Sequence, residues 1–140
     1  MANIVYPSFG ASLLNGETGD CRSVDFRMVL LTSAYTYSAS HTVLSDITDD
    51  VATRVHKTTS ALLSGTTTDG ALDHADFEIS SLSGSAVTQL VVYVHNASES
   101  SAKLVYLMTH DSTGSAINKT PTGGVFTVKP NTAGWFKVAG

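Results

Sequence analysis

Apolar positions in this chain fall in short, dense runs separated by hydroxyl-rich stretches, and the first strong run sets the frame. Phe26 to Leu31 (FRMVLL) is β-forming and too short for a buried helix, the pattern of a strand covered on both faces. The stretch around it, residues 24–47, continues through a polar loop at 33–40 that carries Tyr35 and Tyr37. It ends at Leu44, where Ser45 is expected to cap a short helix over 46–51, with Asp49 and Asp50 near its N-terminus. Residues 51–57 alternate apolar and polar side chains and predict a strand. Residues 61–63 extend it or pair nearby, and 64–70 read as a flexible turn. Residues 71–80 form a loop entering a strand, followed by a turn at 81–85 marked by Gly84.

Two further runs are rich in β-formers: AVTQLVVYVH at 86–95 and KLVYLMT at 103–109. The polar loop at 96–101 between them makes an antiparallel hairpin the natural expectation. Residues 111–124 read as a long turn region. Residues 125–128 and 135–138 then predict a closing pair around Pro130, Asn131 and Gly134. Ahead of all this, Ile4, Val5, Tyr6, Phe9, Leu13 and Leu14 are interrupted by Pro7, Gly10, Gly16 and Gly19, which predicts an irregular apolar arm. Such an arm lies against its own sheet or a neighbouring subunit, because apolar surface is unfavourable in water. Seven to nine short strands with almost no helix predict an all-β fold: an N-terminal arm over 1–20 and a single β-sandwich domain, jelly-roll-like, over 21–140.

Composition sharpens this picture. At 140 residues with 42% hydrophobic content the chain can bury one core, yet only 14% of it is charged. Ser and Thr fill the gap at about a quarter of the residues. Hydroxyls desolvate more cheaply than charges, so such a surface suits a protein packed against partners as well as one that is simply polar. The net charge of −4 and the scattered eight Lys and Arg residues give no footprint for nucleic acid. Apolar runs such as Leu90 to Val94 are far too short to span a bilayer. The opening MANIVYP lacks the charged and apolar regions of a signal peptide. Cys21 is the single cysteine, so no internal disulfide is possible and folding in a reducing cytosol is expected.

Candidate chemistry is sparse. Asp69, Asp73, His74 and Asp76 are close in sequence, but their spacing fits neither a calcium loop nor a zinc motif, and no metal or cofactor is expected. His110 and Asp111 are two parts of a triad at most, while Gly84-Ser85 and Gly114-Ser115 lack the frame of a nucleophile turn. Gly65, Gly70 and Gly123-Gly124 suit turns better than a phosphate-binding loop. Cys21 beside Arg22 has no assignable His partner. Asn96-Ala97-Ser98 and Asn118-Lys119-Thr120 match the glycosylation pattern and are expected to stay unmodified without a secretion signal. No catalytic residue is assigned.

The segments FRMVLLTSAYTYSASHTVLSDI and, some thirty residues later, GALDHADFEISSLSG resemble a pattern of small tailed-bacteriophage virion proteins. There a strand runs into a short S-D-[IV] helix, and a later element opens a hairpin; here Asp73, Asp76, Phe77, Ile79, Leu82 and Gly84 fit that later element. The likeness continues through QLVVYVHNASESSAKLVYLM and covers about two-thirds of the chain. Length and arm resemble a capsid cement, or decoration, protein most. The resemblance implies a non-enzymatic β-domain on the capsid exterior of a virion made in the host cytoplasm. It would clamp major capsid protein subunits as a homodimer or homotrimer, without nucleic acid or membrane as partner. Aromatic and apolar residues in arms and loops often anchor interfaces, so Tyr6, Phe9, Leu13, Leu14, Tyr35, Tyr37 and Trp135 are the expected contacts. Deleting 2–14 is then expected to leave the domain folded and abolish capsid binding. The alternative is a tail-associated, receptor- or carbohydrate-binding β-module using Tyr35 or Trp135.

Overall fold

A computed structural model describes residues 3–17, 24–59, 66–68, 71–73, 77–110, 114–128 and 136–137; for 66–68, 71–73, 77 and 136–137 it describes the backbone alone. In chain order the elements are β1 (Ile4–Val5), α1 (Pro7–Leu14), β2 (Phe26–Leu31), β3 (Arg54–Lys57), β4 (Thr66–Thr68), β5 (Ala71–Asp73), β6 (Phe77–Ile79), β7 (Gln89–Val94), β8 (Leu104–Met108), β9 (Phe126–Val128) and β10 (Phe136–Lys137). Short 3-10 turns at Leu44–Asp46 and Glu99–Ser101 complete the set. The described fold is mostly strand with one short helix, and all its strand pairs are antiparallel.

Five strands form the main sheet in the order β1-β8-β7-β2-β3. Period-two alternation decides where each side chain goes. Phe26, Met28 and Leu30 of β2, with Leu90 and Val92 of β7, join one apolar cluster. Val29, Leu31, Val91 and Tyr93 point the other way into a second. The register opposes Met28 to Val92, Val29 to Val91 and Leu30 to Leu90, so like faces meet across the pair. The sheet is therefore covered on both sides, as the unbroken run FRMVLL implied. Each fully buried Leu or Phe contributes roughly 2 kcal/mol over exposure, which makes this double-faced sheet the dominant source of stability.

One face is covered by Phe9, Leu82, Ile79 of β6 and Phe126 and Val128 of β9. The other is covered by Tyr6, Tyr35, Leu44, Ile47 and Ala102, which come from loops and 3-10 turns. The expected hairpin of residues 86–95 and 103–109 is present as β7 and β8, each trimmed at its ends.

Several expectations are corrected. The N-terminal segment is not irregular: Ile4 and Val5 pair with Leu107 and Tyr106 of β8, and α1 follows at once. Pro7 lies in the first turn of α1, where a missing N–H and a fixed φ do no harm. Gly16, at φ +73°, ends the helix: its N–H donates to Leu13 O (3.2 Å) and that of Glu17 to Ser12 O (2.9 Å). Two of the expected breakers, Pro7 and Gly16, thus start and stop a helix, and Gly10 lies inside it. Ser45 caps no helix over 46–51; instead Asp46 accepts from the Thr42 and Val43 amides (2.8 and 3.1 Å) and closes a single 3-10 turn. Those two bonds hold the Asp46 carboxyl below its usual pKa.

The strand expected over 51–57 is confined to β3 after a turn in which Asp50 accepts from the Thr53 amide. Within 64–70, read as a turn, lies β4, paired with β5. The proposed closing pair does not form: β9 pairs with β6, and β10 pairs with β5. The turn at 81–85 is as expected, with Ser81 at φ +57° and Gly84 at φ +134°. Residues 61–63 lie outside the described residues.

Candidate functional site

Tyr6 and Phe9, expected as partner contacts, are fully buried. Strand alternation carries Tyr6, whose amide donates to Val105 O (2.9 Å), into the second cluster, and the helix then places Phe9 in the first. Tyr35 is also core, at 6% exposure. Its hydroxyl stands 2.8 Å from that of Tyr6 and 2.9 Å from His41 Nδ1. Burial raises the pKa of both phenols, so they serve as neutral hydrogen-bonding groups. Leu13 is half-buried against the first cluster. Tyr37 is half-buried, its ring 5.5 Å from that of Tyr6. Leu14, by contrast, projects from the end of α1 at 84% exposure. Trp135 lies outside the described residues.

The chain's residues converge elsewhere to make a concave site. At the end of the main sheet where β7 begins and β8 finishes, an open groove of about 550 Å³ is lined by Ser33, Tyr35, Thr36, Tyr37, Thr88, Gln89, Thr109, His110, Ala116, Ile117 and Asn118. Its walls are fastened to the sheet. Gln89 Nε2 donates to the carbonyls of Thr32 and Tyr35, 2.9 Å each, and fixes the loop that carries Tyr37. Across the groove, Ile117 N donates to Thr109 O (2.9 Å), while Val87 and Lys119 exchange backbone bonds of 2.9 and 3.0 Å.

The rim of the groove depends on the N-terminal segment. Asn3 Oδ1 accepts from the amides of Thr109 (2.7 Å) and His110 (3.0 Å), and its Nδ2 donates to His110 O (3.0 Å). One carboxamide thus extends the β1–β8 ladder beyond Ile4. The His110 ring nitrogen Nδ1 is 2.8 Å from the Thr109 hydroxyl. Thr88 Oγ1 is buried without a hydrogen-bond partner. Asn3, Thr88 and Gln89 carry no motif and Asn118 only the glycosylation match, and the register of β7 and β8 brings them together.

A second polar cluster ties β3 to the two 3-10 turns. Arg54, with its side chain 6% exposed, donates to both oxygens of Glu99 (3.0 Å each) and to the carbonyls of Leu44 (3.0 Å) and Ile47 (2.7 Å). Lys57 Nζ adds a 2.7 Å bond to Glu99. Every donor here is already engaged by the protein except Arg54 Nε, so the cluster serves structure.

Among the described residues no group of three or more His, Cys, Asp or Glu could hold a metal ion. Asp69, His74, Asp76, Asp111 and Cys21 lie outside the described residues, as does the side chain of Asp73. No helix among the described residues is long and apolar enough to cross a membrane. No family model, curated protein or solved structure matches the chain.

Proposed function

We propose that this chain is a non-enzymatic bacteriophage capsid cement protein that bridges major capsid protein subunits on the exterior of the head. The resemblance of its strand–turn–strand segments to small virion proteins motivates this reading. The observation that carries it is Leu14. A large apolar side chain is held outward, at 84% exposure, by a helix fastened to the main sheet through Phe9, Leu13 and β1. Val51 and Val125 are likewise exposed, at 90% and 60%, on a chain with few charges.

Burying one Leu yields roughly 2 kcal/mol, too little for a stable contact. Repeated across many copies on a lattice, and through homodimers or homotrimers, such contacts accumulate. The β6–β9 pair shares a core cluster with the main sheet, which supports reading the fold as a jelly-roll-like sandwich.

The test is mass-spectrometric counting of this chain against the major capsid protein in gradient-purified virions. Copies comparable to the capsid protein are expected, and Leu14→Asp should lower that occupancy without changing the protein's melting temperature. Complete absence from virions sinks the proposal. A handful of copies moves the chain to the tail, as a receptor-binding module, a reading that the groove beside Tyr37 favours.

A further inference from the structure

The groove lined by Tyr37, Ile117 and Asn118 has a chemistry that the cement reading does not use. Among the described residues, none of its lining side chains is Asp, Glu, Lys or Arg. Apart from the His110 imidazole, these side chains offer an anionic or cationic ligand no counter-charge for the hydration it would lose. The lining also carries hydroxyl and amide groups from Ser33, Thr36, Thr109 and Asn118, which a lipid or hydrocarbon would leave unpaired. The described lining sets the Tyr37 ring and the Ile117 side chain among hydroxyl, amide and imidazole groups. A pyranose ring complements that mixture: its C–H face packs on an aromatic, and its hydroxyls both donate and accept.

Size and rigidity agree with this chemistry. The volume of about 550 Å³ lies within the usual range of small-ligand sites. Gln89 fixes the Tyr37 wall from beneath, and the Val87–Lys119 and Thr109–Ile117 bonds fix the wall opposite. A ligand entering here meets surfaces already ordered by the sheet, so little conformational entropy is lost on binding.

We propose that this groove binds a neutral saccharide of one or two rings, with Tyr37 as stacking platform and Asn118 and Thr36 as hydroxyl partners. The inference does not depend on whether the chain sits on head or tail. The glycan is either free in solution or displayed on a polymer such as a cell-surface polysaccharide, and the same ring chemistry serves both.

The test is an amide NMR titration of the full chain with lactose, cellobiose and N,N′-diacetylchitobiose, with sialyllactose as the charged control. The same neutral sugars are also immobilised on beads for retention assays. Saturable shifts are expected at the amides of Thr36, Tyr37, Ile117 and Asn118, with a Kd of about 1 mM. Tyr37→Ala and Asn118→Ala should each weaken binding about tenfold, while Leu14→Ser leaves it unchanged. Tyr37 packs on Tyr6, so Tyr37→Ala can disturb folding; Asn118 is exposed and keeps the test decisive. Binding in solution supports a free sugar, and retention on beads alone supports a displayed glycan. No saturable shift and no retention, tighter binding of sialyllactose, or binding undiminished in Asn118→Ala each overturns the assignment.

Discussion

The hydroxyls of Tyr6 and Tyr35 meet at 2.8 Å inside the core and join the N-terminal segment to the loop after β2. The chain of contacts continues to His41, whose Nδ1 lies 2.9 Å from Tyr35. Tyr35 is thus the shared partner, and the two phenols are not equivalent. Tyr6→Phe leaves Tyr35 bonded to His41 and should cost about 1 kcal/mol. Tyr35→Phe strands the buried Tyr6 hydroxyl and should cost about 2 kcal/mol. The double variant should cost less than the sum, because the second substitution removes a group already unpartnered. Urea denaturation of the four proteins measures this, and equal losses in the two single variants would contradict the arrangement.

Arg54 and Glu99 should contribute to the pH dependence of stability at the acid side, alongside Asp46. The Arg54 hydrogen bonds, with a smaller contribution from Lys57, pull the Glu99 pKa down from its ordinary value of 4.5 to about 2. A carboxylate whose folded pKa is depressed stabilises the protein fully above its unfolded pKa. That contribution fades as pH falls toward the folded value. Stability should therefore drop between about pH 5 and 2, and Glu99→Gln should flatten part of that slope. Arg54→Met removes the donor to the Leu44 and Ile47 carbonyls as well, and should cost about 2–3 kcal/mol at neutral pH. An unchanged acid limb in Glu99→Gln would show that other carboxylates control it.

Much of the central architecture was legible because it rests on local composition. FRMVLL, QLVVYV and LVYLM are dense in β-formers, and their burial on two faces follows from having no polar alternation. The N-terminal helix was not legible, because Pro7, Gly10 and Gly16 are breakers in general; Pro7 and Gly16 become start and stop signals, and Gly10 is tolerated inside, only when the intervening turns pack. Phe9 and Leu13 supply that packing against strands far along the chain. The same holds for Tyr6, whose partner strand β8 lies a hundred residues away. Pairings of β6 with β9 and β5 with β10 likewise depend on non-local contacts between strands of two or three residues with weak intrinsic signals. Of the groove, Tyr35 and Tyr37 were visible as aromatics in a polar loop. Its far wall was not, since Asn118 stood out only as a glycosylation match and residues 116–117 not at all until β7 and β8 bring them opposite Tyr37.

Gly10 and Gly84 should respond to alanine with opposite signs. Gly10 lies inside α1, and an added Cβ would meet nothing within 4 Å. Gly10→Ala should stabilise the protein by about 0.5–1 kcal/mol, by removing backbone freedom from the unfolded chain. Gly84 sits at φ +134°, a conformation that side chains resist, although its space is ordinary, with Val55 Cγ1 3.5 Å from the added Cβ. Gly84→Ala should cost about 1–2 kcal/mol through backbone strain alone. Thermal melts of the two variants settle the signs, and a stabilised Gly84→Ala protein would mean that the turn at 81–85 adopts another conformation.

Truncation of the N-terminal segment should unfold the chain rather than strip it of a partner contact. Removing residues 2–14 deletes β1, leaves the outer edge of β8 unpaired and takes Tyr6 and Phe9 out of two separate clusters. Emptying an aromatic site costs about 3–5 kcal/mol, and two such losses rival the whole stability of a typical domain, about 5–15 kcal/mol. The truncated protein should therefore show no cooperative melt at room temperature and above. Leu14→Ser touches the same segment but removes only an exposed side chain, and should leave the melting temperature within about 2 °C of the parent. A truncated chain that still melts cooperatively near the parent temperature would show that β1 and α1 are accessory to the sheet. A cooperative fold lost on truncation but kept in Leu14→Ser makes the point substitution, and not the deletion, the sound probe of what this helix touches.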